Sequence, residues 1–519
     1  MNSRFYIATV LLLILQPSYA QTPYLVSDFN PGEASGFNSN SLGVALGDAY
    51  ILPIVTADAG EELGLLKNGE LSLIADINEG IESSELKYFV AYKGKVYFSA
   101  KTTEDEGALW VTDGTSEGTK LIFDPSSSSN FNRAPEGLIV SKNNDLYFTY
   151  SGKLFIYEGE NVTEIFDGVD FETTSEQKTN NYNHYGEGLA FVSRNSNVTR
   201  LYDVNGLEVN ELAEVSGGTN FVNFFGLSEV SNGLVFSIDD SFDDDVSGTY
   251  GYDAVDDTFG KFSVGSNYAE RLHPLEGKKA IGWVRTEGYY IINSVGEEPE
   301  LLVESSNGIA VQGETMSIAS IADNFAFTHM FKRDVFYSDG TADATSIVLE
   351  SPSFASEFVT TGHHAFIAFG IFNGFDPELH YVNLKTGEIS NIYNFNESSV
   401  NFETVIPVTV QDNTLYFLNN LDSEIGREMF GLDLDFMITS IDENLVSEPL
   451  TIRNYGLYFE VESPRDEPFQ AQVLSMNGEL LLTLNGETNS RIKLPYLDAL
   501  FVLSVKTKDM AGAKKLFGF

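Results

Sequence analysis

Five carboxylates crowd one short stretch, at Asp239, Asp240, Asp243, Asp244 and Asp245, the densest set of oxygen donors in the chain. A loop bearing several carboxylate oxygens is what Ca2+ requires, since that ion takes about six to eight oxygen ligands. These five residues are the candidate metal site, and Ca2+ is the one candidate cofactor. The spacing is not that of an EF-hand, and no glycine turns the chain inside the aspartate run, so a solvated acidic loop accounts for the same residues. His363-His364 and His380 are the other side chains with metal-binding or general-base chemistry. His364 opens an apolar run with Ala365 and Phe366, which equally suits an imidazole packed in a strand. No nucleophile elbow, phosphate loop or zinc-protease motif occurs, so no catalytic residue is assigned. Paired carboxylates would serve a glycoside hydrolase, but with 76 acidic residues such pairs arise from abundance alone.

The elements that must position these groups are short strands. The chain has 519 residues, 42% hydrophobic and 13% aromatic, enough for a large core and more than one domain. Its formal net charge of −46 repels nucleic-acid phosphates and anionic membrane surfaces and suits a solubilising exterior, so nucleic acid is not an expected partner. Cysteine is absent, which rules out disulfides, thiolate metal sites and cysteine nucleophiles.

The clearest strand unit contains ALWVTDGTSEGT, from Ala108 to Thr119. Apolar runs at 108–111 and 120–123 flank Asp113-Gly114, a carboxylate that can accept backbone N–H groups followed by a residue free to take positive φ, so a hairpin is expected. Upstream, 86–91 and 95–100 read as two more strands across Lys93-Gly94, making four strands to the unit. Joints beginning at Asp28, Asp76 and Asp124 lie 48 residues apart. A strand signal, read as the inner strand, recurs at Val96-Tyr-Phe-Ser, Leu146-Tyr-Phe-Thr, Leu189-Ala-Phe-Val, Leu234-Val-Phe-Ser, Phe325-Ala-Phe-Thr, His364-Ala-Phe-Ile and Leu415-Tyr-Phe-Leu. Tyr50-Ile-Leu-Pro and the weaker Ala280-Ile-Gly-Trp bring the candidates to nine.

A period in the forties filled with strands is the signature of propeller blades. The expected fold class is all-β: a large β-propeller of eight or nine four-stranded blades, eight preferred because the Ala280 unit is weak, followed by a small C-terminal β-sandwich. The last unit lacks an outermost strand, and Tyr24-Leu-Val-Ser-Asp28 is similar to Lys120-Leu-Ile-Phe-Asp124, so the N-terminus is expected to close the ring.

The unit resembles the ELWxxDGT repeat of secreted bacterial proteins, which reads roughly Glu-Leu-Trp, two residues, Asp-Gly-Thr, then Gly-Thr. Leu109, Trp110, Asp113, Gly114, Thr115, Gly118 and Thr119 match, while Ala108 replaces the Glu. A second copy is read at Phe336-Tyr-Ser-Asp-Gly-Thr341, with Ala344 in place of the later Gly. The resemblance implies architecture and compartment more than activity.

Arg4, the apolar run from Ile7 to Leu15 and Gln16-Pro-Ser-Tyr-Ala20 have the pattern of a secretory signal peptide cleaved after Ala20, and no later segment approaches a membrane span. The expected domains are a signal peptide at 1–20, a propeller at 21–439 and a sandwich at 440–519. The tail alternates in short strands, with Asn477-Gly478 and Asn485-Gly486 as turns. It resembles the C-terminal sorting domain of the type IX secretion system of Bacteroidetes at Val473 to Gly478, at Leu494 and Leu497 before Phe501-Val-Leu-Ser-Val505, and at Lys514-Lys515. It departs where a Pro-Asn-Pro opening is expected near 444–449, and at Ala499 and Phe501.

The resemblance implies export through the periplasm to the cell surface or medium, with the type IX machinery as partner. The leading functional expectation is a non-catalytic propeller that binds carbohydrate, protein or another extracellular polymer. The alternative is a polysaccharide lyase or glycoside hydrolase with its site at the channel mouth. Convergence there of titratable groups with Arg, His or Tyr would favour the enzyme.

Overall fold

The computed structural model describes residues 22 to 434 apart from short interruptions, the longest at 126–133, 169–181, 305–316 and 396–404, and strands as backbone between 451 and 517. Strands are the sole regular element among the described residues. Nine four-stranded antiparallel sheets follow one another along the chain. Blades 1 to 8 span 44–75, 87–123, 136–167, 182–216, 222–262, 271–304, 317–349 and 359–394; blade 9 takes 406–433 together with Tyr24–Ser27.

Blade 2 illustrates how sequence makes a blade. Its strands are Lys87–Tyr92, Lys95–Ala100, Ala108–Thr112 and Lys120–Phe123. Lys93 and Gly94, both at positive φ (48° and 73°), form the tight first turn, whose twist matches that of the flanking strands. A register shift between Leu109 and Trp110 bends the outer strand, and eight of the nine blades, all but blade 5, carry a shift at the corresponding place between third and fourth strands. Such bulges increase local twist, which lets each blade flare outward.

The recurring Tyr-Phe signal marks the second strand of each blade, not the innermost. First strands such as Lys87–Tyr92 and Glu136–Val140 approach one another around the axis and are half-buried, whereas second strands such as Leu146–Tyr150 and Thr414–Asn419 are buried throughout. Shielded by strands on both edges and by blades on both faces, the second strand carries the strongest apolar pattern. The preference for eight blades is corrected to nine: the faint Ala280 unit is a complete blade 6, with strands Arg271–Leu275, Lys279–Val284, Gly288–Ile292 and Glu300–Glu304.

The core is divided rather than central. Nine apolar clusters each span one blade interface, from Ile51, Leu63, Val96 and Phe98 between blades 1 and 2 to Phe366, Leu379, Phe417 and Phe430 between blades 8 and 9. Tyr50, Leu52, Tyr416 and Met429 then join blade 9 to blade 1. The expected closure is present: Tyr24 pairs with Gly431 and Leu25 with Phe430, completing blade 9 with the N-terminal strand.

In the tail, seven strands form an antiparallel three-stranded and a four-stranded sheet. Ala511–Phe517 is a strand that alternation alone did not suggest, and Asn485-Gly486 lies inside Leu480–Glu487 instead of forming a turn, because the strand runs on to pair Gly486 with Phe469. The signal segment, residues 444–449, Asn477-Gly478, Leu494, Leu497 and Ala499 lie outside the described residues.

Candidate functional site

Each blade has two ends: one with the turns between third and fourth strands, the other with the crossovers to the next blade. On the crossover side, buried carboxylates hold loops. Glu62, fully buried on the third strand of blade 1, accepts the Ile77 and Asn78 N–H groups at 2.7 and 3.4 Å and the Ser84 hydroxyl at 2.5 Å. Glu428, at the same place in blade 9, accepts N–H groups from Gly36 at 2.6 Å and Phe29 at 3.4 Å. Around these carboxylates the two loops share a further pair of bonds. Asn30 and Asn78 each donate to a serine carbonyl, of Ser35 and Ser83, at 3.2 Å, and those serine hydroxyls accept N–H groups from Arg427 and Glu61 at 3.0 Å. Burial lifts both carboxyls to about 7 against the downward pull of their donors.

Glu62-Leu63 and Glu428-Met429 occupy the Glu-Leu place of the repeat, where blade 2 has Ala108-Leu109. Aligning third strands on Leu109 could have found them; the faded Asp-Gly-Thr of those blades hid the match.

The five aspartates diverge. Asp240, 1% exposed, accepts the hydroxyl of Thr219 at 2.8 Å and backbone N–H groups from Thr219 and Phe242, fixing the crossover from blade 4 to blade 5. Its burial alone would raise its pKa, but those donors and Arg194 outweigh it and hold the carboxyl below its usual value. Asp239 points to the next crossover and accepts the Tyr268 hydroxyl at 3.0 Å. Asp243 takes the N–H of Asp245 at 3.1 Å in a local turn. Among the described residues no group of three His, Asp or Glu side chains is arranged to hold a metal ion.

The histidines also separate. His364 shares a hydrogen bond of 2.9 Å with the Tyr381 hydroxyl, and burial followed by the neighbouring His363 lowers its pKa to about 4. His380 is 4% exposed and 2.9 Å from Glu378; burial outweighs that carboxylate and lowers its pKa.

One convergence was not signalled by any motif. The crossover from blade 5 to blade 6 is tied down at four points: Ser266 N–H to Glu287 at 3.0 Å, Tyr268 to Asp239, Ala269 N–H to the Thr249 hydroxyl at 2.9 Å, and Glu270 to Arg285 at 2.8 Å. Arg271 follows at the start of the innermost strand, with its guanidinium 4.8 Å from the centre of the Phe225 ring. Burial raises the pKa of Glu270 and of Tyr268 and lowers that of Arg271. His273, on the same strand face as Arg271, is lowered to about 4 by burial and then by Arg271. These residues lie too far apart in sequence for a motif; their proximity comes from the crossover.

No family model and no curated protein matches the chain. Among solved structures it is similar to the WD40 domain of SCAP from fission yeast, at 10% identity and a TM-score of 0.37 over 67% of this chain and 95% of that one. It is also similar to an oligogalacturonate lyase from Vibrio parahaemolyticus, at 11% identity and 0.34 over 75% and 98%. A prolyl endopeptidase matches at 13% identity and 0.35 over 82% of this chain and 54% of that one, so the chain spans about half its length. None of these likenesses carries an activity to this chain.

Proposed function

We propose that this protein is a secreted or cell-surface propeller that binds an extracellular polymer, carbohydrate foremost, without transforming it. The observation that carries the reading is the use made of buried carboxylates: Glu62, Glu428 and Asp240 are each engaged in holding a crossover loop, so the ring presents anchored loops of differing sequence. Varied loops on a rigid scaffold suit recognition. The test is a glycan-binding screen run with an assay for new reducing ends and unsaturated products. Binding without product supports the reading; release of either product overturns it.

The enzyme reading has its own support, the convergence of Asp239, Tyr268, Glu270, Arg271 and Arg285 at one crossover. Loss of polysaccharide cleavage on Tyr268→Phe would establish it. The N-terminal signal, the type IX route and the C-terminal β-sandwich belong to the same proposal, supported by the sequence resemblance and by two antiparallel sheets in the tail. A chain ending at residue 439 should fold and stay in the periplasm of a type IX-competent host. Its arrival at the cell surface would overturn that route.

A further inference from the structure

We infer that Tyr88, at the crossover-side mouth of the central channel, is a stacking platform for an uncharged saccharide ring, with the Glu136 carboxylate accepting hydroxyls of the same ring. The inference rests on the carbohydrate-binding function proposed above and gives it a place.

The first observation is conformational. Ten non-glycine residues of the described chain have positive φ, and Tyr88, at 58°, is the only one of them inside a strand and the only aromatic one. It sits in a bulge of the first strand of blade 2, between Lys87 and Val90. The matching bulges of blades 3 and 5 hold Gly137 and Gly226, at 65° and 58°. Glycine takes that conformation freely, whereas a β-carbon makes it unfavourable. A tyrosine kept where sister blades use glycine needs a compensating role, and residues so strained gather at ligand clamps. Core packing does not supply that role, since Tyr88 is 41% exposed.

The second observation is convergence. Strands Lys87–Tyr92, Glu136–Val140 and Tyr182–Tyr185 all start on the crossover side, and each brings one group to the same place. The Tyr88 hydroxyl lies within hydrogen-bonding reach of Glu136, and burial followed by that carboxylate raises its pKa. The Tyr182 hydroxyl packs so closely over Gly137 that a β-carbon there would collide with it, and it feels both Glu136 and Tyr88. One bulge position thus carries the ring in blade 2 and, in blade 3, the gap that admits the neighbouring tyrosine.

Holding the phenol end across a blade boundary leaves the ring few ways to turn, so a ligand has less to order on binding. An aromatic face for the C–H groups of a pyranose and a carboxylate for its hydroxyls are the two kinds of contact a sugar ring needs. A carboxylate offers about four acceptor sites, so Glu136 serves Tyr88 and a sugar together. Its charge and the −46 of the whole chain repel a uronate or sulfated ring, which leaves the uncharged class.

Calorimetry on the full-length protein with cellohexaose, xylohexaose, mannohexaose, laminarihexaose and polygalacturonate is the test. At least one neutral hexaose should bind, and polygalacturonate should not. Tyr88→Gly removes the ring and the strain together, so hexaose affinity should fall by roughly tenfold or more while Tm stays at or above that of the wild type. Tyr88→Phe keeps the ring and should retain the larger part of the affinity. Unaltered hexaose binding in Tyr88→Gly would overturn the subsite and leave the binding function standing. A Tm well below wild type in that variant would mean that the ring serves the blade and not a ligand, and would overturn the platform. Equal losses in the Phe and Gly variants would overturn stacking, and a preference for polygalacturonate would overturn the ligand class. Failure of every saccharide to bind would overturn the subsite and the carbohydrate reading together.

Discussion

The two ends of the blades hold their loops in opposite ways. At the Asp-Gly-Thr turns the network is local and exposed: in blade 2 Asp113 accepts the N–H and hydroxyl of Thr115 at 3.0 and 2.7 Å, and Thr119 closes the turn on the Thr115 carbonyl at 2.8 Å. Blade 7 repeats every bond with Asp339, Thr341 and Thr345 at 3.1, 2.7 and 2.6 Å. Ala344 takes the place of Gly118, and its N–H stands 3.4 Å from the Thr341 hydroxyl against 3.0 Å for the Gly118 contact in blade 2, which shows how the turn makes room for a methyl group. At the crossovers the anchors are buried and reach further along the chain, from a separation of 15 positions for Glu62 and Ile77 to 392 for Gly36 and Glu428. A turn that satisfies itself can fade from a blade with little consequence, whereas a buried anchor joins one blade to the next.

The sharpest way to break this comparison is to remove residues 22–27. Doing so bares the edge of Glu428–Asp433 and removes Tyr24 from over Gly431, so stability should fall by several kcal/mol, on the order of losing a packed strand. Thermal unfolding checks it; an unchanged Tm would mean that blade 9 does not depend on its borrowed strand.

Next in size are the clamps. Glu62→Ala or Glu428→Ala strands buried N–H groups and should cost about 2 to 3 kcal/mol by denaturant titration. Their titration has a definite sign. The folded carboxyls, at about 7, lie above the 4.5 of an unperturbed glutamate, so the folded chain binds more protons than the unfolded between those values. Their contribution is complete below about 4.5 and is lost as pH rises through about 7. Wild-type Tm should therefore drop more steeply across that window than that of a Glu62→Gln, Glu428→Gln double variant, by roughly a few degrees. Parallel profiles would remove the two carboxyls from the pH response.

The smallest effect belongs to the turn face. Asp113→Asn and Asp339→Asn each keep an oxygen acceptor at an exposed turn, and should cost no more than about 1 kcal/mol. A loss matching that of the clamps would erase the distinction between the two ends.

The same contrast explains what could be read before the fold was known. The turn at Asp113, its copy at Asp339 and the buried second strands are short-range patterns, so blades and their period were legible from residues a few positions apart. Closure by Tyr24 was legible because blade 9 visibly lacked a strand. Blade 6 was nearly missed because Gly282 interrupts its second strand, packing against Ala269 and Leu272 where other blades place an aromatic ring. Glu62, Glu428 and the Arg271 crossover stayed hidden, since each acquires its partner from a loop or blade elsewhere in the chain. The aspartate run drew attention by density, yet Asp239 and Asp240 serve crossovers on opposite sides of blade 5.

The borrowed strand also sets an order of events in time. Tyr24 and Gly431 come from opposite ends of the ring, so the first strand of the described ring is paired only once the chain of blade 9 is in place. Bringing ends so far apart together carries a loop-closure entropy that grows with the logarithm of the separation, and it must be met before the final contact repays it. A chain that emerges N-terminus first from synthesis therefore carries an unfinished edge, and the ring locks when its last blade arrives.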